Sequence, residues 1–497
     1  MRLFSQRSGE AIELGDHCRL AAGGEAQIYI HPNDPLQVVK VWHRPTVERA
    51  QKLEAMLVNP PVDPMAAQGH VAIAWPTDLV QTARKQTVGF LMPRVQGVRP
   101  IIDFFNPKSR LQASPLFNWF YLHRTARNLA TALRALHERG YVIGDLNECN
   151  ILASETALVT VVDTDSFQVW DAAHGRLFRC RVGRPEFTPP ELQGKSFAQV
   201  NREPVHDRFG LGIVTFQLLM EGTHPFAGAY RAAGEPPPIP DRIGAGHFPH
   251  GADPRTPYAP VPVAPRFEWI HPVLQDLFVR CFRDGHHAPE LRPDCLSWQY
   301  GLEEAELNLV SCHDNQQHIF GNHLQGCPWC ERAALLGGRD PFPSAQAVQS
   351  GEHLRPAPRP RTTLKQTSGW SLPYPGRPPG GPTPPTPPPI PPSSGGGGGR
   401  GGGSWAPRGT TADALRNAFG AARRNDLAWM GLGLGVLALM LAGFGQPPYT
   451  GLGRLAAFFG LLAAFGGTLA AAGRQGGWRA HRVALAGLGL NLLALIL

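Results

Sequence analysis

Charge is scarce in this chain: Asp, Glu, Lys and Arg together make up 17% of 497 residues, against about 25% in an average soluble domain. Cysteine is also thin, eight residues over the whole length, which excludes a secreted scaffold built from disulfides. The opening stretch MRLFSQRSGEAIEL lacks the apolar run of about 7 to 15 residues that a secretory signal needs, so the first half is expected to stay in the cytosol. In excess are glycine and proline, 56 and 50 residues, about a fifth of the chain against roughly 12% in average usage. That excess, with little charge, argues against one compact domain. It suits a soluble domain, a disordered linker and a membrane portion on one polypeptide. The net charge of +8 could attract nucleic acid, but many arginines flank apolar segments near the C-terminus, which favours membrane orientation instead.

From about residue 12 to 305, short β-rich runs (AQIYI, LQVVKVW, VAIAWP, TVGFLMPRV, VTVVDTD) alternate with helical patterns, the signature of an α+β domain large enough for a substantial core. Leu122, Ala126, Leu129, Leu133 and Leu136 recur three or four apart and predict one amphipathic helix. RFGLGIVTFQLLMEG is apolar almost all round and predicts a helix inside the domain. Residues 339–408 read as a disordered Pro/Gly-rich linker. A membrane anchor is expected over 427–497, with apolar segments at 427–444, 452–472 and 483–497. The third, at fifteen residues, would span the bilayer or lie as a re-entrant or interfacial helix. Arg416, Arg423 and Arg424 precede the first segment, and Arg474, Arg479 and Arg482 follow the second. Both flanks are cytoplasmic under the positive-inside rule, which predicts a multi-pass protein of the inner membrane with its N-terminal domain in the cytoplasm. Gly431 and Gly435 form a GxxxG spacing that offers a face for a homodimer.

Phosphoryl transfer needs a cradle for phosphates, a cation on them, oxygen ligands for Mg²⁺, and a base near the acceptor hydroxyl. LAAGGEAQIYI provides a turn between two strands, where Gly23 and Gly24 permit close backbone approach. Lys40 lies in the apolar run VVKVW, where an ammonium is costly unless it meets an anion. In the following helix, Glu48 or Glu54 could pair with it. Glu54 is preferred, since Glu48 falls in the first turn and is explained by the helix dipole. Asp145, Asn150 and Asp163 follow at spacings of five and thirteen in LHERGYVIGDLNECNIL and VTVVDTDSF. Two carboxylates and an amide on a hairpin can place a base and two Mg²⁺ ligands around one phosphate.

These segments resemble the eukaryotic-type protein kinase superfamily, in a divergent bacterial branch carrying an IGDLN loop and a DTDSF motif. The resemblance covers residues 12–305 and implies a bilobal kinase-like fold, ATP with Mg²⁺ or Mn²⁺, and a protein substrate phosphorylated on Ser or Thr. It implies Asp145 as base, Asn150 and Asp163 as metal ligands, Lys40 as the phosphate lysine and Glu54 as its partner. Met92 to Val95 would be the hinge that meets adenine. It also pairs Glu191 with Arg292 and makes Asp207 the brace of the catalytic loop. There are departures. Ala21 and Ala26 stand where two loop glycines are expected, Asn147 replaces a lysine, and Thr164 with Asp165 replaces Phe-Gly. Gly144 stands where the family has an arginine that reads a phosphorylated activation segment, so control by that route is not expected. The alternative reading is a pseudokinase scaffold that recruits partners to the membrane. A small-molecule kinase on the same fold is a third.

In residues 306–335, Cys312, Cys327 and Cys330 carry the spacing of a structural Zn²⁺ knuckle, with His318 as fourth ligand and His313 and His323 as rivals. The alternative, a redox CxxC, lacks the expected βαβ context. The segment also lacks the basic and aromatic run of a nucleic-acid binder, so no nucleic-acid partner is expected.

Overall fold

A computed structural model describes residues 1–355. The apolar segments at 427–444, 452–472 and 483–497, the GxxxG pair and linker residues 356–408 lie outside the described residues. Among the described residues, no helix is long and apolar enough to cross a membrane.

The first lobe is an antiparallel seven-stranded sheet. Its strands are β1 (Arg2–Ser5), β2 (Ala11–Glu13), β3 (Arg19–Ala22), β4 (Ala26–Ile30), β5 (Gln37–Trp42), β6 (Asp78–Gln81) and β7 (Thr87–Pro93), in the order β2-β1-β6-β7-β5-β4-β3. The sheet begins before residue 12: β1 pairs with both β2 and β6, and the N-terminal ammonium donates to the Leu14 carbonyl. Central strand β5 is apolar on both faces, with Val38, Val39 and Trp42 buried, and carries Lys40. Helix α1 (Val47–Val58) is capped by Thr46, whose side chain accepts from the Arg49 amide. It buries Lys52, Leu53 and Met56, spaced one and three apart on one face.

The second lobe is mainly helical. Helix Trp119–Glu138 starts at an Asn118 cap and buries all five of the periodic residues named above. Helix Pro204–Leu219 is buried along most of its length, as its all-round apolarity demands, and its capping box joins Glu203 and His206. One hairpin brings the chemistry to the interface of the lobes: strands Ile151–Ser154 and Val159–Val161 pair antiparallel, and the Asp163 turn follows directly.

The structured chain runs past residue 339. Residues 339–355, expected as linker, include a helix at Ala345–Gln349 and bury Phe342. Arg110 holds them down: its guanidinium donates to the Pro341 carbonyl and lies 4.4 Å from the Phe342 ring centroid. Nor is the knuckle a separate module. Trp329 is fully buried against Trp119, Trp269 and Phe342, and Arg332 pairs with Glu221 in a buried contact. A short cysteine-rich segment has too little apolar surface for a core of its own and borrows that of the helical lobe.

Candidate active site and metal knuckle

Lys40 reaches from β5 into the space between the lobes and is 9% exposed. Its Nζ donates to Asp163 Oδ1 at 2.7 Å and to Asp165 Oδ1 at 2.5 Å. Burial alone would depress this ammonium, but the two carboxylates outweigh it and raise the Lys40 pKa well above the ordinary lysine value. The expected partner Glu54 is exposed on α1. The helix turns Lys52 inward instead, and its Nζ donates to the Asp165 carbonyl at 2.7 Å. The reason is rotational: Lys52 shares the buried face with Leu53 and Met56, whereas Glu54 lies two positions on and points away. Burial pushes Lys52 down to about 8.

Asp165 is therefore the carboxylate that braces Lys40. It also accepts from the Trp42 indole at 3.1 Å. Burial would raise its carboxyl, but Lys40 and Trp42 hold it below the usual carboxylate range. For Asp163, burial outweighs Lys40 and the nearby Asp165 charge adds to it, so its carboxyl is pushed up. The backbone of Asp163 is left-handed, φ 59° and ψ 37°, a strained conformation of the kind kept at functional sites.

On the facing loop, Asp145 is half-buried and held by two amides. Asn147 donates to Oδ1 at 2.8 Å and Asn150 to Oδ2 at 3.3 Å, and both also donate to the Asp145 carbonyl. Asn147, 1% exposed, thus supports the aspartate. Asp207 accepts from the Ile143 and Gly144 amides at 2.7 and 2.8 Å and from the His137 ring at 3.0 Å, so the loop is tied to helix Pro204–Leu219. Glu191 and Arg292 form a bidentate pair, both contacts 2.6 Å.

Gly23 and Gly24 form the exposed turn between β3 and β4, and a Cβ on Gly24 would meet nothing within 4 Å. Met92, in β7 opposite Val38, and the half-buried Val95 lie where the sheet passes into the second lobe. A cleft of about 330 Å³ opens beside Trp42, Arg49, Lys52, Asp163 and Arg181. The oxygens of Asp163 and Asn150, one anionic and one neutral, suit a hard divalent cation such as Mg²⁺.

In the knuckle, the ligand atoms of Cys312, His318, Cys327 and Cys330 all lie within 4.8 Å of one another. Sγ of Cys312 is 3.7 Å from that of Cys330, and His318 Nδ1 is 3.4 Å from Cys330 Sγ and 3.5 Å from Cys327 Sγ. Zn–S bonds of about 2.3 Å in a tetrahedron give edges of about 3.8 Å, so three sulfurs and one nitrogen fit zinc here. His313 is fully exposed beside Asp314, and His323 bonds the Glu268 carbonyl. Neither rival faces the sulfurs. On its far side the His318 ring meets both oxygens of Asp340 at 2.9 Å, the outer carboxylate that commonly orients a metal-bound histidine.

Sequence reasoning missed four of these residues. Asp165 was legible only as a carboxylate two positions after Asp163, and Lys52 only as a charge on an apolar helical face. Asp340 and the buried Arg202 carried no sequence signal, because His318 lies 22 residues from the one, and Cys180 and Val182 lie 22 and 20 residues from the other.

No family model matches the chain. Two curated relatives do, both described as protein kinase YegI, from Escherichia coli K12 and O157:H7. Each is 31% identical over 327 residues, covering 65% of this chain and 49% of the relative. The chain therefore spans about half the length of the curated relatives it matches. Among solved structures, the ROP18 kinase domain in complex with AMP-PNP and sucrose aligns at a TM-score of 0.40 and 19% identity. That match covers 61% of this chain and 82% of the other.

Proposed function

We propose, from the chain's membership of the protein-kinase-like superfamily, that it transfers the γ-phosphate of ATP to Ser or Thr hydroxyls of proteins. The observation that carries this reading is the pairing of the buried Lys40 with the strained Asp163, whose strand is tied to the loop of the amide-held Asp145 by the Val162 amide donating to the Asn150 carbonyl. Asp145 would accept the proton of the acceptor hydroxyl, its carboxylate fixed by Asn147 and Asn150. Lys40 would neutralise phosphate charge. Asp163 and Asn150 would hold Mg²⁺ or Mn²⁺, which supplies charge neutralisation for the phosphates. The knuckle would carry structural Zn²⁺. We further propose that the C-terminal apolar segments anchor the protein in the inner membrane with the catalytic lobes in the cytoplasm, a reading that rests on their length and flanking arginines.

One observation favours the rival reading, a pseudokinase scaffold: Lys40 is already paired with two carboxylates, and a nucleotide would have to rearrange that pairing. The deciding experiment incubates the purified full-length chain with ATP and Mg²⁺ or Mn²⁺ and counts incorporated phosphate by intact mass, beside Asp145→Asn and Asp163→Asn. Phosphate present in the wild type and lost in both variants supports phosphoryl transfer. A folded, zinc-loaded wild type that takes up none supports the scaffold.

A further inference from the structure

The position before the catalytic aspartate is glycine, yet the space above it holds a cation. A Cβ built on Gly144, whose φ is +74°, would lie 2.3 Å from Arg202 Nη1 and 2.9 Å from the Cys180 side chain. A Cβ on Gly183 would lie 2.9 Å from Arg202 Nη2. The guanidinium, on a side chain from the segment just before helix Pro204–Leu219, thus fills a slot walled by two glycines. Its residue is 4% exposed.

Nε of this guanidinium is buried without a hydrogen-bond partner, and its two terminal nitrogens and its flat face carry the contacts. Nη2 donates to the Val182 carbonyl at 2.6 Å, Nη1 approaches Cys180 Sγ at 3.6 Å, and the guanidinium carbon sits 4.1 Å from the Phe197 ring centroid. The Arg202 backbone is fixed as firmly. The Gln168 side-chain amide donates to its carbonyl at 2.6 Å and accepts from its N–H at 2.8 Å. Gln168 itself exchanges backbone hydrogen bonds with Val142, two residues before Gly144. One guanidinium therefore joins three pieces of chain: the loop that carries Asp145, residues 180–183, and the entry to the buried helix. The acceptors that Arg202 uses are a carbonyl and a thiol. Burial raises that thiol's pKa, so neither acceptor is an anion.

We propose that Arg202 is a positioning residue for phosphoryl transfer, its guanidinium clamping residues 180–183 against the Asp145 loop through Gly144 and Gly183, so that this segment is set without any phosphate. The proposal rests on the phosphoryl-transfer reading for its effect on rate, and on geometry alone for the clamp. A planar five-donor group suits this slot, and lysine would reach it with a point charge only.

The test uses the full-length chain, with turnover measured on a generic protein acceptor and hydrogen exchange measured over residues 179–186. Wild type pretreated with a phosphatase should keep its turnover. Arg202→Ala should lose turnover about 100-fold, as a misplaced catalytic group does, with KM for ATP within about twofold of wild type. Exchange over 179–186 should quicken about tenfold. Added guanidinium ion should restore both, and Arg202→Lys should fall between, which keeps the test open if the alanine variant does not fold. Wild type that loses turnover on dephosphorylation overturns the proposal, as does an Arg202→Ala protein with unchanged turnover and exchange. If wild type transfers no phosphate at all, the phosphoryl-transfer reading fails by itself. Exchange then decides the clamp, with quickening in the variant supporting it and no change overturning it.

Discussion

Asp165 Oδ1 lies 2.5 Å from Lys40 Nζ, so the brace for this buried lysine comes from the turn after Asp163 and not from helix α1. The two carboxylates on Lys40 are thus two residues apart in one turn, and α1 adds a second cation, Lys52, to the same cluster. Whatever moves the Asp163 turn moves the lysine with it.

From this pairing we expect Asp165→Asn to weaken ATP use by at least about tenfold in kcat/KM. It should also destabilise the fold by about 3 kcal/mol, since removing this charge leaves Asp163 as the one carboxylate bonded to the buried Lys40. Glu54→Ala should stay within twofold of wild type. Steady-state kinetics with ATP varied and urea melts check both; equal losses in the two variants would return the bracing role to α1.

The pair formed by His137 and Asp207 predicts a pH dependence of stability. Burial works against a charged His137, but hydrogen bonds to Asp207 and Cys295 outweigh it and raise its pKa from 6.5 to about 10. A raised folded-state value means stability that is fully present below the unfolded value and lost as pH climbs through the folded one. The wild-type advantage over His137→Gln should therefore be largest at pH 6 and shrink steadily towards pH 10 in urea titrations. A gap independent of pH would show the histidine to be neutral throughout.

Zinc analysis of the purified chain should find one ion. Cys327→Ser and His318→Ala should lose it, His313→Ala and His323→Ala should keep it, and Asp340→Asn should weaken binding by about 10- to 100-fold. Retention of full zinc affinity by His318→Ala would move the fourth ligand elsewhere.

Because Trp329 is buried among Trp119, Trp269 and Phe342, Trp329→Ala should cost about 3 to 5 kcal/mol. Chelation of zinc should lower the melting temperature of the helical lobe along with that of the knuckle. Two separate transitions, with the lobe's unmoved by chelator, would make the knuckle an independent module.

Much of the fold was legible along the chain. The 3.6-residue period of helix Trp119–Glu138 and the all-round apolarity of Pro204–Leu219 both follow from which residues must leave water. Lys40 stood out as a cation inside an apolar strand, and Asp145, Asn150 and Asp163 as polar residues at spacings of five and thirteen. The CxxC and its upstream cysteine could be read as metal ligands for the same reason.

Tertiary structure decided what depends on direction. Whether Glu54 or Lys52 faces inward is a matter of about 200° around a helix axis, and packing of Leu53 and Met56 selects the lysine. His318 stands out from His313 and His323 only when the chain folds back to bring Asp340 behind its ring. The cation beside Gly144 comes from Arg202, 58 positions later, because two glycines leave room for it. Local sequence sets which groups a segment offers; the burial of apolar neighbours sets which way each group points, and so which partner it meets.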